Sequence, residues 1–321
     1  MGKRTSWGRM DKFDNDPVFK KLKEQLQRLG PKDMDAAQAI VGRMVERMNT
    51  LPVDDFDGLT PEQVDVMMSR PFEIPDLVRF HPDRITPGNT AVMRLFLGIA
   101  DACGDKGMKA TPSGYLPRKL MRTLAEDIAG EEAFYEPGKY WATREDEFSL
   151  LFMTRHCATF AGLIRKYRGR FMLTRKGRGL LEKEAFGEIF HGLFAAAASK
   201  WNWGCTDGFP ELYAIQSAWL ISLRWLQLFG AQPRDEYSFY ARRFLKTFPA
   251  ILRFIPKDSS TKDPEKMVRR AYGLRVFERF ALAFGLAERD GWPRDMFHFH
   301  LAGDCLIRKT PLLDRFIEFR G

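Results

Sequence analysis

Apolar positions recur at helical spacing along most of the chain. Val18, Leu22, Leu26 and Leu29 mark one face of an amphipathic segment. Ile40, Met44 and Met48 mark a second, and Gly30-Pro31 breaks the two apart. Asp54-Asp55-Phe56-Asp57-Gly58 reads as a linker. Thr60-Pro61-Glu62-Gln63 then has the residues of a capping box, with Thr at N-cap, Pro at N1 and Gln at N3. Pro71, Pro75, Pro82 and Pro87 predict an irregular wrap. Val92, Leu95, Phe96 and Ile99 predict a helix over Ala91–Ala102, followed by an extended stretch, Met108–Thr111. A further helix, Leu116–Ile128, carries Arg118, Lys119 and Arg122 on its polar side. The next predicted helix, Glu145–Ala161, has a core stripe of Leu150, Met153, Cys157 and Phe160. Phe148, Leu151 and Phe152 make its opposite side apolar too, which predicts that another part of the chain covers it.

The period changes in Ala161–Leu181. Gly162 stops the helix in the left-handed region that only glycine enters without steric cost. Leu163-Ile164 begins a strand, Tyr167-Arg168-Gly169-Arg170 reverses it, and Phe171-Met172-Leu173-Thr174 returns. Thr174 is an N-cap for a closing helix with Leu180 and Leu181 on one side. Residues 186–255 are helical and rich in aromatics (Phe190, Phe194, Trp201, Trp203, Trp219, Trp225, Phe229), which at this spacing predicts core. Asp263-Pro264-Glu265 caps another helix that ends at Gly285. From there the chain faintly repeats itself. Gly285-Leu286-Ala287-Glu288-Arg289 answers Gly162-Leu163-Ile164-Arg165-Lys166, Asp290–Arg294 takes the place of the turn, and Met296–Leu301 is the expected return strand.

Charge sharpens this picture. The 321 residues are 45% hydrophobic and 29% charged, a globular composition, with net charge +9 and pI near 9.4. Asp146–Lys183 holds nine basic and three acidic residues, so it supplies +6 of that charge. A basic chain suits an acidic partner, nucleic acid ahead of a membrane, since no amphipathic basic anchor stands out. The most apolar window, Leu212–Phe229, is interrupted by Gln216, Arg224 and Gln227 and does not read as a membrane span. Cys103, Cys157, Cys205 and Cys305 are widely spaced without a CxxC pair, as in a reduced cytoplasmic protein. Met1-Gly2 with Ser6 fits the short myristoylation pattern, a match common by chance, and no apolar signal-peptide core follows.

The run Ala161-Gly162-Leu163-Ile164-Arg165 … Leu173-Thr174-Arg175-Lys176-Gly177 … Leu180-Leu181 resembles the wing of winged-helix repressors of the MarR and ArsR type. The preceding helices and the Met108–Thr111 strand would complete such a fold. Some fifteen residues between Ile128 and Arg144 depart from it, because a helix-turn-helix has three or four there. More loosely, the order from Leu59 to Phe319 resembles a set of bacterial proteins carried on plasmids and other mobile elements. The expected fold is mainly α with small β-hairpins: a central winged helix, a second degenerate one and helical arms. Its domains are 1–58 (N-terminal arm), 59–185 (capped helix and winged helix), 186–256 (aromatic-rich helical linker) and 263–321 (degenerate winged helix).

The expected function is non-enzymatic binding of nucleic acid, with duplex DNA the first choice, in a mobile-element or defence setting. Arg165, Lys166, Arg168, Arg170, Arg175 and Lys176 would meet backbone phosphates. Arg118, Lys119, Arg122 and Arg155 would add flanking contacts. The alternative is a scaffold whose winged helices bind a protein partner or a second copy. No nucleotide, hydrolase or metalloprotease motif appears, so neither a cofactor nor a catalytic residue is expected. His81-Pro82-Asp83 lacks the basic helix that gives the J-domain tripeptide its meaning. His298 and His300 share a strand face but have no third metal ligand beyond nearby Cys305.

Overall fold

Side-chain caps open helices where the sequence places them. Thr60 N–H donates to Gln63 Oε1 at 2.9 Å and Gln63 N–H to Thr60 Oγ1 at 3.1 Å, the reciprocal capping box. Thr90, Thr174 and Asp263 accept from the backbone N–H groups of Met93, Gly177 and Lys266. These caps belong to a computed structural model of the chain. It describes residues 20, 23–24, 27–28, 30, 34–86, 88, 90–128, 144–205, 207–209, 212–235, 239–255, 263–290 and 306–320. Among them the chain is mainly helical, and its strands form three small antiparallel sheets.

The chain divides into two compact units, residues 1–65 and 66–321. The first contains helix α1 (Met34–Asn49) and a single 3-10 turn, Asp54–Phe56, closed by Asp57 at φ 53°. Most of the amphipathic segment expected before Gly30 lies outside the described residues. Helix α2 (Pro61–Ser69) follows.

The second unit includes the regions expected as the aromatic-rich linker and the C-terminal domain. Its element order is β1 (Val78–Phe80), α3 (Ala91–Cys103), β2 (Met108–Lys109), α4 (Arg118–Ile128), α5 (Ser149–Phe160), β3 (Ile164–Tyr167), β4 (Arg170–Leu173) and α6 (Arg175–Glu182). After it come α7 (Phe186–Ser199), α8 (Ala214–Ser217), α9 (Trp219–Phe229), β5 (Arg234–Asp235), α10 (Ala241–Thr247) and α11 (Pro264–Tyr272). A wider π-type helix, Gly273–Leu282, continues α11, and β6 (Ala287–Asp290), β7 (Leu306–Lys309), α12 (Pro311–Phe316) and β8 (Ile317–Phe319) close the chain. Phe190 and Phe194 of α7 and Trp219 and Trp225 of α9 are core, as their spacing predicts, while Phe229 is half-buried. Phe194 lies 5.3 Å from Trp219, 5.0 Å from Phe280, 5.4 Å from Phe284 and 5.1 Å from Phe316, centroid to centroid. The proline-rich wrap contains a strand that the sequence did not announce. β1 pairs with β8 in antiparallel register, Arg79 opposite Glu318, and joins the two ends of the unit.

The internal repeat is a matter of hydrogen bonds as well as letters. In each of two segments a helix, a strand and two further helical stretches lead to a hairpin and a closing helix. The sheet orders are β2-β4-β3 and β5-β7-β6, so in both the first strand pairs with the last. Gly162 (φ 70°) and Gly285 (φ 63°) end the preceding helices in the same left-handed conformation. The next residues, Leu163 and Leu286, donate back to Ala158 and Ala281 at 2.9 and 2.8 Å. Thr174 and Thr310 then tie off the hairpins, each hydroxyl donating to its glycine carbonyl at 2.6 Å. Register agrees too: Lys166 faces Phe171 where Arg289 faces Ile307. The difference is the connection, two residues in the first hairpin and fifteen in the second. The expected return strand Met296–Leu301 lies outside the described residues; the strand that pairs with β6 is β7.

Candidate nucleic-acid interface

The first hairpin turns through Arg168 (φ 46°) and Gly169 (φ 72°). Two consecutive left-handed residues make the mirror-image turn that matches strand twist. Such a turn projects its neighbours outward, and Arg165, Lys166, Tyr167, Arg168 and Arg170 are all exposed. On the solvent face Arg165 stands opposite Met172 and Tyr167 opposite Arg170. The guanidinium groups of Arg165 and Arg168 lie 5.3 and 5.2 Å from the centroid of the Tyr167 ring. That ring, 48% exposed, gathers the two cations at the tip. Arg170 donates to the Gly107 carbonyl at 2.6 Å, and Lys166 to the Gly114 carbonyl at 3.4 Å. Lys176, exposed at the start of α6, donates to the Ala161 carbonyl. Arg175 beside it is exposed as well. Among the described residues, no carboxylate is ion-paired to Arg165, Lys166, Arg168, Arg170, Arg175 or Lys176. Nearby acids are engaged elsewhere, Asp105 by Arg178 and Asp146 by Arg144.

On α4 the structure exposes Arg118, Lys119 and Arg122, while Met121, Leu124, Ala125 and Ile128 form its buried face. The Lys166–Gly114 bond brings the hairpin alongside the loop leading into this helix.

Arg155 is a correction. Its side chain is 8% exposed and paired through Nε with Glu145 Oε1, whose side chain is fully buried. The other Glu145 oxygen accepts from Leu116 N–H at 2.7 Å, so this pair fastens the approach to α4 against α5. Burial raises the Glu145 carboxyl above its ordinary range, with Arg155 pulling the other way. An arginine so enclosed cannot reach a phosphate. Its neighbour His156 accepts from Arg155 at 2.9 Å and rests against Phe152 and Trp201. Burial, and secondarily the Arg155 charge, lowers the His156 pKa to about 4, so the ring is neutral near pH 7. Leu150, Leu151, Met153, Thr154, Cys157 and Ala158 are buried as well, and α5 packs against both α3 and α7. α5 is thus packed on two sides, with Phe152 against Tyr115 and Trp201, while His156 is half-buried and Thr159 and Phe160 stay exposed at its end.

None of the family models, curated proteins or solved structures compared with this chain matches it.

The second hairpin gives an internal contrast. At the position of Arg165 it carries Glu288, bonded to Arg308 across the strands at 2.5 Å. At the position of Lys166 it carries Arg289, drawn inward to the buried Glu278 at 3.1 Å. Lys309 pairs with Asp314 at 2.8 Å. Among the described residues the same backbone thus presents cations without a carboxylate partner in one copy and ion-paired charges in the other.

The remaining candidates are quickly placed. His81 bonds Glu318 at 2.7 Å, bracing the β1–β8 pair, and Glu318 is held at a pKa of about 2 by Arg320 and His81. His298, His300 and Cys305 lie outside the described residues. Cys103 and Cys157 are buried, and burial pushes both thiols up. Among the described residues there is no cluster of three metal-ligating side chains, and no helix is long and apolar enough to cross a membrane. Sequence reasoning overlooked Lys109, exposed on β2 opposite Arg170. The two-residue period of Met108–Thr111 could have found it, since an inward Met108 turns Lys109 outward.

Proposed function

We propose that this protein binds nucleic acid without catalysing a reaction on it, the first hairpin acting as a wing on backbone phosphates. The observation that carries the proposal is the group of exposed cations at the tip, unmatched by any carboxylate among the described residues. Arg165, Lys166, Arg168 and Arg170 are the primary contacts; Arg118, Lys119 and Arg122 flank them, and Arg175 and Lys176 extend the basic surface. The helix–strand–helix–helix–hairpin order and the pairing of first strand with last support the winged-helix reading. Because most of α5 is packed inward and its one arginine, Arg155, is paired with Glu145, the binding rests on phosphates and is weakly selective for sequence. A gel shift with random-sequence duplex at physiological salt tests it. Retardation at or below the micromolar range expected of non-specific binders is the predicted result, and none up to 100 micromolar would remove the proposal.

A specific observation also favours a second reading. The second hairpin is electrically balanced and both of its helical neighbours are packed inward, as suits a scaffold for a protein partner or a second copy. Loss of duplex binding together with a stoichiometric partner in purified material would select it.

A further inference from the structure

Beside the hairpin tip the continuation of β2 runs on through Ala110–Pro112, held by a 2.8 Å bond from Ala110 N–H to the Gly169 carbonyl. Between this segment and the tip lies a cavity of about 540 Å3 whose lining includes Lys109, Lys166, Arg168 and Arg170 and no carboxylate. Two features of it work against stability. Lys109 and Arg170 are direct partners across β2 and β4, and like charges placed opposite one another repel. Arg168 occupies a left-handed position that glycine, asparagine or aspartate takes more readily. Backbone carbonyls steady Arg170 from one side (Gly107 at 2.6 Å, Lys106 at 3.5 Å) and so fix its guanidinium without neutralising it. The hydroxyl of Thr111, the polar side chain in the lining, is already turned to the backbone of Tyr115. What the cavity offers an occupant is therefore positive charge from four places: Lys109 on β2, Lys166 on β3, Arg168 in the turn and Arg170 on the return strand. An anion entering there would relieve the repulsion and be met by charge-assisted hydrogen bonds.

We propose that this cavity is a phosphate subsite, that it holds one phosphodiester group of a nucleic-acid strand, and that Lys109 is one of its ligands. The assignment rests on the wing reading above and extends it. The strand's path leaves the tip along β2, and a residue outside the hairpin belongs to the interface. The same chemistry would also accept a small polyphosphate, and the test separates the two sources.

The experiment is a salt titration of duplex binding by anisotropy for the full chain and for Lys109→Gln, Lys109→Arg and Arg165→Gln. Lys109→Gln should lower the slope of log affinity against log salt by about 0.9, the loss of one phosphate contact, and Lys109→Arg should restore it. The melting temperature of Lys109→Gln should stay level or rise, because a repulsion has been removed. A lowered slope in Arg165→Gln with none in Lys109→Gln would overturn the subsite and leave the wing standing. Parent slopes in both would overturn the wing reading as well. Inorganic triphosphate is the second arm. If it binds in a Lys109-dependent way while duplex binding ignores Lys109, the occupant is a small anion and the strand assignment is wrong.

Discussion

Arg168→Asn separates stability from binding at the tip. Arg168 sits at φ 46°, a conformation that costs an ordinary L-residue roughly 1–2 kcal/mol and that asparagine enters far more easily. Against that gain stands the loss of the guanidinium over the Tyr167 ring at 5.2 Å, worth about 0.5–1 kcal/mol at an exposed site. The net expectation is a stabilisation of about 0.5 kcal/mol. In a folded unit of this size that corresponds to roughly 1–2 °C in Tm. Binding should move the other way, with the salt slope falling by about 0.9 as one phosphate contact is lost. Thermal melts and anisotropy on the same preparation read both effects. A variant that is less stable than the parent would refute the strain argument. A more stable variant with an unchanged slope would refute the role of Arg168 in binding.

A Cβ at Gly177 would lie 2.2 Å from the Leu163 carbonyl oxygen, so Gly177→Ala must push α6 off the base of the hairpin. We expect a loss of about 1–3 kcal/mol by denaturant titration, and a loss below about 0.5 kcal/mol would show that this packing is slack. Arg155→Met leaves Glu145 buried without its partner and should cost about 3–5 kcal/mol, while Glu145→Gln with Arg155→Met keeps an acceptor for Leu116 N–H and should recover part of it. In material that remains folded, the double variant should keep the parent salt slope; a lower slope would return Arg155 to the interface. His156 titrates near 4 in the folded chain against an ordinary 6.5, so between those values the unfolded state binds more protons. Its contribution to stability is therefore complete above about pH 6.5 and is lost as pH falls towards 4. His156→Phe should show a smaller fall in stability over that window than the parent, and an equal fall would exclude His156 as the cause.

What the sequence revealed was what depends on near neighbours. The caps at Thr60, Thr174 and Asp263 need only residues three positions away, and all three formed. Gly162 and the Arg168-Gly169 turn are equally local, so the hairpin was legible almost residue by residue. β1 was not, because the alternation of Val78, Arg79 and Phe80 is too short to read alone and its partners stand far along the chain. Met296–Leu301 follows the turn residues Asp290–Arg294 directly, and so it reads as the second return strand. Counting back from Thr310, the counterpart of Thr174, reaches Ile307 and the observed strand. Charge alone would place Arg155 at the interface. Its spacing of four from Leu151 and three from Ala158 puts it on the second apolar face of α5, where a buried partner was to be expected. That partner, Glu145, lies in a 3-10 turn before the helix, and no helical count would have brought the two together.

The cations of the first hairpin have no carboxylate partner among the described residues, and this is what would let them receive phosphates. The most direct measurement is the salt dependence of random-duplex affinity for the parent and for the combined Arg165→Ala, Arg168→Ala and Arg170→Ala variant, with Tm confirming that both are folded. The slope should be lower by about 2.7 in the variant, about 0.9 for each contact removed. A folded variant with the parent's slope and affinity would contradict it.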